Sequence, residues 1–184
     1  MPITTRNTAL GTRTMNKYYL FQTDRLWIRP TAEEDADFIL EIFNSPKALR
    51  FIGDRKIRTV DDALAFIRNR TLKQFTELGY GNYTVVTKGE GKKVGVCGLY
   101  KRPGLELVDI GYALLPEQEG KGYAVEASRA VQQAAKEVFG LDKLCAITHP
   151  ENESSGRLLE KLGLRKIDQR QLPGVEGLSD YYES

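Results

Sequence analysis

Two stretches of the chain hold residues whose types and spacing can do chemistry. In "LLPEQEGKGYAVEA", Leu114 to Ala127, Gly120 and Gly122 stand directly before a run of helix formers. Glycine is the poorest helix former after proline, so its presence there needs another reason. The first N–H groups of a helix lack intrahelical partners, and with the positive end of the helix dipole they attract phosphate oxygens. Glycines let an anion approach without meeting a Cβ. The segment therefore reads as an anion cradle or as a tight strand-to-helix turn that binds nothing. A Walker-type loop is excluded, because the chain contains no G-x-x-x-x-G-K-[ST]. The second stretch is "THPENESSGRLLEKLGLRKI", in which Asn152 serves as a helix N-cap or as a contact for a ligand. His149 is the one histidine in the sequence. A histidine cluster is thus excluded, neither cysteine is spaced to join His149, and no metal site is expected. A Ser–His–Asp hydrolase would call for a G-x-S-x-G elbow, which the chain lacks.

The elements that must carry these residues follow from periodicity. "YYLFQTDRLWIRP" reads as a strand ending at Pro30, and Thr31 with Glu34 matches a capping box for a helix over 32–44. "SPKALRFIGD" is a connection or a short helix. A second helix is expected over 60–78, then two strands around a hairpin at "KGEGKK". The glycines there lead into a strand, which rules out a dinucleotide fingerprint. "LELVDIGYALLP" is a further strand. The third helix starts near Gly122 and ends at Gly140, "DKLCAITHP" is a short strand, and a helix capped by Asn152 stops at Gly163. "LRKIDQRQL" is a last clear strand, with "LSDYYES" able to pair beside it.

Composition sets the outer limits. With 184 residues, of which 41% are hydrophobic, one buried core is expected rather than two. The net charge of +2, with both signs interspersed, gives no footprint for nucleic acid. No apolar run approaches the roughly 18 residues of a membrane span. Cys97 and Cys145 lie in apolar runs and are expected to be buried thiols in a reducing cytoplasm. Residues 1–17 are expected to form a flexible tail. They faintly share the composition of a transit peptide, and Met15 is an alternative start.

Four ordered motifs converge on one family. "TDRLWIRP" with "EEDA", "VGVCGL", "DIGYALLPEQEGKGYAVEA" and "PENESSGRLLEKLGL" together resemble the GNAT N-acetyltransferases, within them the RimJ/RimL-type ribosomal-protein acetyltransferases, over roughly Leu20 to Lys166. The resemblance implies an α/β (α+β) GNAT fold as a single domain over 18–184. Its sheet would be mixed and mostly antiparallel, of six to seven strands flanked by about four helices, with splayed central strands. It also implies acetyl-CoA as cofactor and acetyl transfer to an amine.

Carried over residue by residue, the resemblance implies that the pyrophosphate rests on the backbone of Gln118, Glu119, Gly120, Lys121, Gly122, Tyr123 and Ala124. Glu117 stands where the superfamily pattern has Gln or Arg. Pantetheine would lie in the splayed gap, paired with the main chain of Ala113, Leu114 and Leu115, with Asn152 on the far side. Thioester aminolysis calls for a base, and Asp109 is the candidate, equally readable as an outward-facing strand carboxylate; Glu106 is the reserve. A backbone N–H near Leu114 or Leu115 would serve the oxyanion. The usual tyrosine, seven positions after the asparagine, is Leu159 here, so Ser155 becomes the candidate donor to the departing thiolate. The acceptor pocket should involve the first two helices and "RFIGDRK". The acceptor itself is read as a protein N-terminal α-amine, with a small-molecule amine as the alternative and a non-catalytic acyl-CoA-binding module as a further one. The chain is expected to act as a monomer or homodimer without nucleic-acid or membrane partners.

Overall fold

The computed structural model describes residues 18–184; the tail expected over 1–17, and the alternatives for it, lie outside the described residues. The chain begins with β1 (Phe21–Gln22) and β2 (Leu26–Pro30), followed by the helices α1 (Ala36–Phe43) and α2 (Pro46–Phe51). A continuous helical stretch then runs through α3 (Val60–Phe66), a π-helical segment (Ile67–Leu72) and α4 (Lys73–Leu78). The meander β3 (Asn82–Thr87), β4 (Lys93–Tyr100) and β5 (Val108–Leu114) leads to α5 (Tyr123–Glu137). Last come β6 (Leu144–Thr148), α6 (Glu153–Lys161), β7 (Arg165–Gln171) and β8 (Leu178–Glu183).

These strands form one sheet in the order β1-β2-β3-β4-β5-β6-β8-β7, antiparallel except between β5 and β6. The count is eight, against the six to seven expected, for two local reasons. The Thr23 hydroxyl accepts from the Leu26 N–H at 2.9 Å and folds one anticipated strand into a hairpin. The C-terminal "LSDYYE" also pairs fully, inserted between β6 and β7. The helix count exceeds four because Ser45, accepting from Ala48 N–H, caps α2 with Pro46 at its first position.

The sheet is covered on both faces. Ala127, Val131, Ala134 and Ala135 of α5 pack with Leu26, Ile28, Tyr83 and Leu99 on one side. Ile39 and Ile42 of α1 and Ala63 of α3 meet Val96, Ala113 and Leu115 on the other. Gly95 of β4 has a steric role: a Cβ there would lie 2.4 Å from the Ala113 carbonyl, so its absence lets β4 and β5 run close together. Cys97 and Cys145 are buried free thiols, each pushed up to about 12 by burial.

Thr31 is not the cap of the first helix. Its hydroxyl bonds Thr84 (2.8 Å) and accepts from Asn82 (3.0 Å), while the Ala32 N–H donates to Asp35 instead. Asp35 is fully buried and accepts two bonds from Arg29 (2.7 Å each), one from Thr84 (3.0 Å) and an ion pair from Lys93 (2.7 Å), tying α1 to three strands. Burial alone would raise its pKa, but the Arg29 and Lys93 contacts hold it at about 2. An unfolded carboxyl titrates near 3.9, so this stabilisation is complete above that value and lost as pH falls through about 2. Asp35→Asn should therefore lower neutral-pH stability by about 2 kcal/mol and flatten its slope between about pH 4 and 2, read by urea unfolding at several pH values.

Candidate active site

The site begins where the sheet comes apart. β5 and β6 pair only at Val108↔Leu144 and Asp109↔Cys145. Beyond that point β5 stays on β4 through Gly95↔Leu114, while β6 stays on β8. Asp109 sits at the fork. Its Oδ1 accepts the Ile147 N–H at 3.3 Å, a donor that a continued ladder would have given to β5. Its Oδ2 is ion-paired with Arg102. Asp109 is 1% exposed, which removes the outward-facing reading. Burial raises its pKa above the ordinary carboxylate value, and the Arg102 pairing offsets only part of that rise.

The fork opens into a cavity of about 610 Å³, lined by Asp109, Tyr112, Asn152, Ser155 and Leu159 among others. A smaller adjoining pocket shares Tyr112, Ala113, Asn152 and Ser155 and adds Leu114 and Glu119. Strand register says which main-chain groups face the gap. The Leu115 N–H donates to the Val94 carbonyl at 3.0 Å inside the sheet, so the expected contact through Leu115 is taken up. By antiparallel alternation the groups of Leu115 and Ala113 point to β4, and those of Leu114 and Tyr112 point into the gap. Of the three residues anticipated for main-chain pairing, Leu114 alone presents its backbone there, joined by Tyr112.

At the far end of β5 lies the glycine turn. Gly120 has φ +74° and Gly122 φ +83°, and Gly122 is the N-cap of α5. A Cβ on Gly120 would meet nothing of the protein within 4 Å. Its side is open, as a site for an incoming anion requires. The N–H groups of Gly120 through Val125 donate to no acceptor among the described residues. Unpartnered amides, a helix N-terminus and an open approach together form a cradle that a pyrophosphate fits. Of the side chains expected there, Lys121 binds the buried Gln118 Oε1 (3.0 Å) and Glu119 pairs with Lys47 of α2 (3.0 Å). Tyr123 and Ala124 are partly buried on the core side of α5.

A buttress behind this turn went unread in the sequence. Arg25 pairs with Glu126 in the first turn of α5 (2.6 Å), donates to the Lys121 carbonyl (3.0 Å) and lies over the Tyr123 ring at 4.8 Å. Thr23 also donates to Glu126. Burial would raise the Glu126 pKa, but Thr23 and Arg25 outweigh it and hold the carboxyl below its usual value. The "TDR" and "AVE" triplets, some hundred residues apart, are thus two halves of one brace. Glu126→Gln should weaken acetyl-CoA binding by about tenfold, the loss of one charge-assisted contact, measured by calorimetry.

On the opposite wall Asn152 caps α6, accepting from the Ser155 N–H (3.3 Å) and the Ser154 hydroxyl (2.9 Å). Its Nδ2 has no partner among the described residues. Ser155 is buried and, with Tyr112, lines both pockets. Tyr112, the tyrosine of "IGY", brings a phenol into the cavity that Leu159 also lines. Glu106 is exposed and outside the cavity lining. His149 packs at a tilt against Phe51 of α2, with ring centres 5.6 Å apart and ring planes at 50°. Among the described residues no cluster of metal-ligating side chains occurs, and no helix is long and apolar enough to cross a membrane.

A splayed parallel pair, a glycine turn with free amides at a helix N-terminus and the cavity at the fork make up the candidate site. Residues 25–165 match the family model of the acetyltransferase (GNAT) domain, and the chain belongs to that family and is an N-acetyltransferase. It is 28% identical over 163 residues to the uncharacterized N-acetyltransferase YnaD of Bacillus subtilis, covering 87% of this chain and 92% of that one. A GNAT-family acetyltransferase from Bacillus anthracis superposes with a TM-score of 0.74 at 25% identity, over 90% of this chain and 97% of its own. RimL, a ribosomal alpha-N-protein acetyltransferase solved with coenzyme A, shares the fold with a TM-score of 0.75 at 13% identity, over 88% and 94% of the two chains.

Proposed function

We propose that this chain transfers the acetyl group of acetyl-CoA to a primary α-amine, with a protein N-terminus as the first acceptor class. The observation that carries the reading is the gap at the fork, flanked by outward-facing main-chain groups of Tyr112 and Leu114 and ending in the free amides of Gly120 to Ala124. When bound, acetyl-CoA supplies a thioester carbonyl open to attack by an amine. Tyr112 and Leu114 align the pantetheine arm as an added strand would, the Asn152 Nδ2 holds it from the other wall, and the Tyr112 N–H, the gap-facing amide nearer the fork, is the donor for the carbonyl oxygen. Asp109, the one acid among the residues lining the main cavity, takes through bridging water the proton that the amine sheds as nitrogen bonds to the acetyl carbon. Ser155 and Tyr112 return a proton to the sulfur as the C–S bond breaks.

An α-amine has a reference pKa near 7.7–8.0 against about 10.4 for lysine, so it needs less help from a base. A second reading, acetylation of a small-molecule amine, is favoured by the cavity's size, which falls in the range of small-ligand pockets. Thiol release from acetyl-CoA against N-terminal peptides, amino acids, polyamines and lysine side-chain amines tests both. Release with α-amines well above that with ε-amines is expected; equal release with all classes would contradict the α-amine reading.

A further inference from the structure

The charge lining the main cavity is one-sided. Arg55, Arg70, Lys101 and Arg102 line it, against the single carboxylate of Asp109. Asp109 is already committed to Arg102. Among the described residues the partly buried arginines are Arg29, Arg55, Arg102 and Arg170. Arg29, Arg102 and Arg170 each pair with a carboxylate: Asp35, Asp109 and Asp168. Even exposed arginines such as Arg50, Arg58 and Arg68 have acidic partners. Arg55 has neither an ion pair nor a side-chain hydrogen bond among the described residues, although it is half-buried in the cavity wall. Burial and the neighbouring Arg102 and Arg70 lower its pKa, the mark of a cation held without a counter-charge.

The backbone beside these arginines is irregular in two independent places. Lys56, next to Arg55, has φ +58°, the one non-glycine among the described residues in the left-handed region. Such a conformation costs on the order of 1 kcal/mol or more and persists where surrounding contacts impose it. Here Asp54 imposes it, accepting from the Lys56 N–H at 2.7 Å and pairing with Arg58 at 2.5 Å. Arg70 and Thr71 belong to the π-helical segment Ile67–Leu72, and both line the cavity. π turns inside helices are frequent at sites of function.

We infer that the acetyl acceptor is an amine that also carries a carboxylate, and that Arg55, supported by Arg70, is the specificity-determining residue that binds it. This rests on the acetyl-transfer reading and names its acceptor class. A guanidinium with unused donors matches a carboxylate in charge and in planar geometry. The same wall repels a polycation, which sets polyamine-like acceptors apart. It also disfavours the protonated form of the incoming amine, so the acceptor nitrogen reaches the thioester in its nucleophilic state.

The test compares matched acceptors: free amino acids against their amides, and N-terminal peptides with an acidic second residue against neutral ones. The two arms separate a small acceptor from a protein terminus. Wild type is expected to favour the carboxylate member of a pair by about tenfold to a hundredfold in kcat/KM, the worth of a charge-assisted contact. Arg55→Gln should abolish that preference by raising KM for carboxylate acceptors while leaving amide acceptors and acetyl-CoA affinity within about twofold. Arg55→Lys should restore part of it. Calorimetry gives a readout apart from turnover: an N-acetylated amino acid should bind wild type and lose affinity in Arg55→Gln, its amide in neither. Equal rates for acids and amides in wild type would overturn the inference and leave acetyl transfer standing. Thiol release with no amine of either kind would overturn both.

Discussion

Gly122→Glu is expected to lower acetyl-CoA affinity by about a thousandfold. Gly122 sits at φ +83° as the N-cap of α5, with the unpartnered amides of Lys121 to Val125 around it. A glutamate there brings a carboxylate to the helix N-terminus, the position that a pyrophosphate would occupy. It repels the ligand and competes for the same N–H groups, each worth about 1.5–3 kcal/mol toward a charged partner. The fold should survive. The new Cβ would lie 3.2 Å from the Arg25 Nη2, the far end of a flexible side chain, and the left-handed backbone costs about 1–2 kcal/mol. Gly120→Ala gives the milder control: its Cβ meets no protein atom within 4 Å, and a loss of about tenfold is expected from restricted approach and strain. Calorimetric titration with acetyl-CoA reads both. Gly122→Glu binding as tightly as wild type would show that the cradle does not hold the ligand.

Asp109→Asn is expected to reduce kcat by about 10²–10⁴-fold, the range for loss of a general base. The pH profile carries the sharper signature. Asp109 works ionised, and its pKa is raised above the carboxylate norm by burial. The acid limb of kcat/KM in wild type should therefore lie at higher pH than a free carboxylate would give, with activity falling as pH drops through it. In Asp109→Asn that limb should disappear. The substitution also leaves Arg102 without its partner at the fork, and breaking a buried ion pair from one side costs about 3–5 kcal/mol of stability. Melting temperature is therefore followed alongside, and acetyl-CoA affinity, which depends on the other end of β5, should stay within a few-fold. Unchanged turnover at every pH would remove Asp109 as the base.

Much of this site was legible as local pattern. Gly120 and Gly122 announced the turn because only glycine suits positive φ at a helix start. Asn152 announced α6 because its side chain replaces a missing backbone partner. What stayed hidden depended on pairings distant in sequence. Thr23 and Arg25 read as part of one strand ending at Pro30, and their role appears only when Glu126 is brought against them. "RFIGDRK", which contains Arg55, was placed in the acceptor pocket with no role for any one residue, because the absence of a partner is not a property of sequence. Of Ala113, Leu114 and Leu115, only Leu114 turns its main chain to the gap, with Tyr112 beside it, because register, set by the bond from Leu115 to Val94, decides which groups face there. Thr31 matched a capping pattern that Asp35 fulfils instead, since the Thr31 hydroxyl is held by Thr84 and Asn82.

The most direct test of the central claim is a crystal structure of the chain with coenzyme A. Pyrophosphate oxygens are expected about 3 Å from the amide nitrogens between Gly120 and Ala124, with the pantetheine arm hydrogen-bonded to the main chain of Tyr112 and Leu114. Coenzyme A bound away from the fork between β5 and β6, with those amides left free, would contradict it.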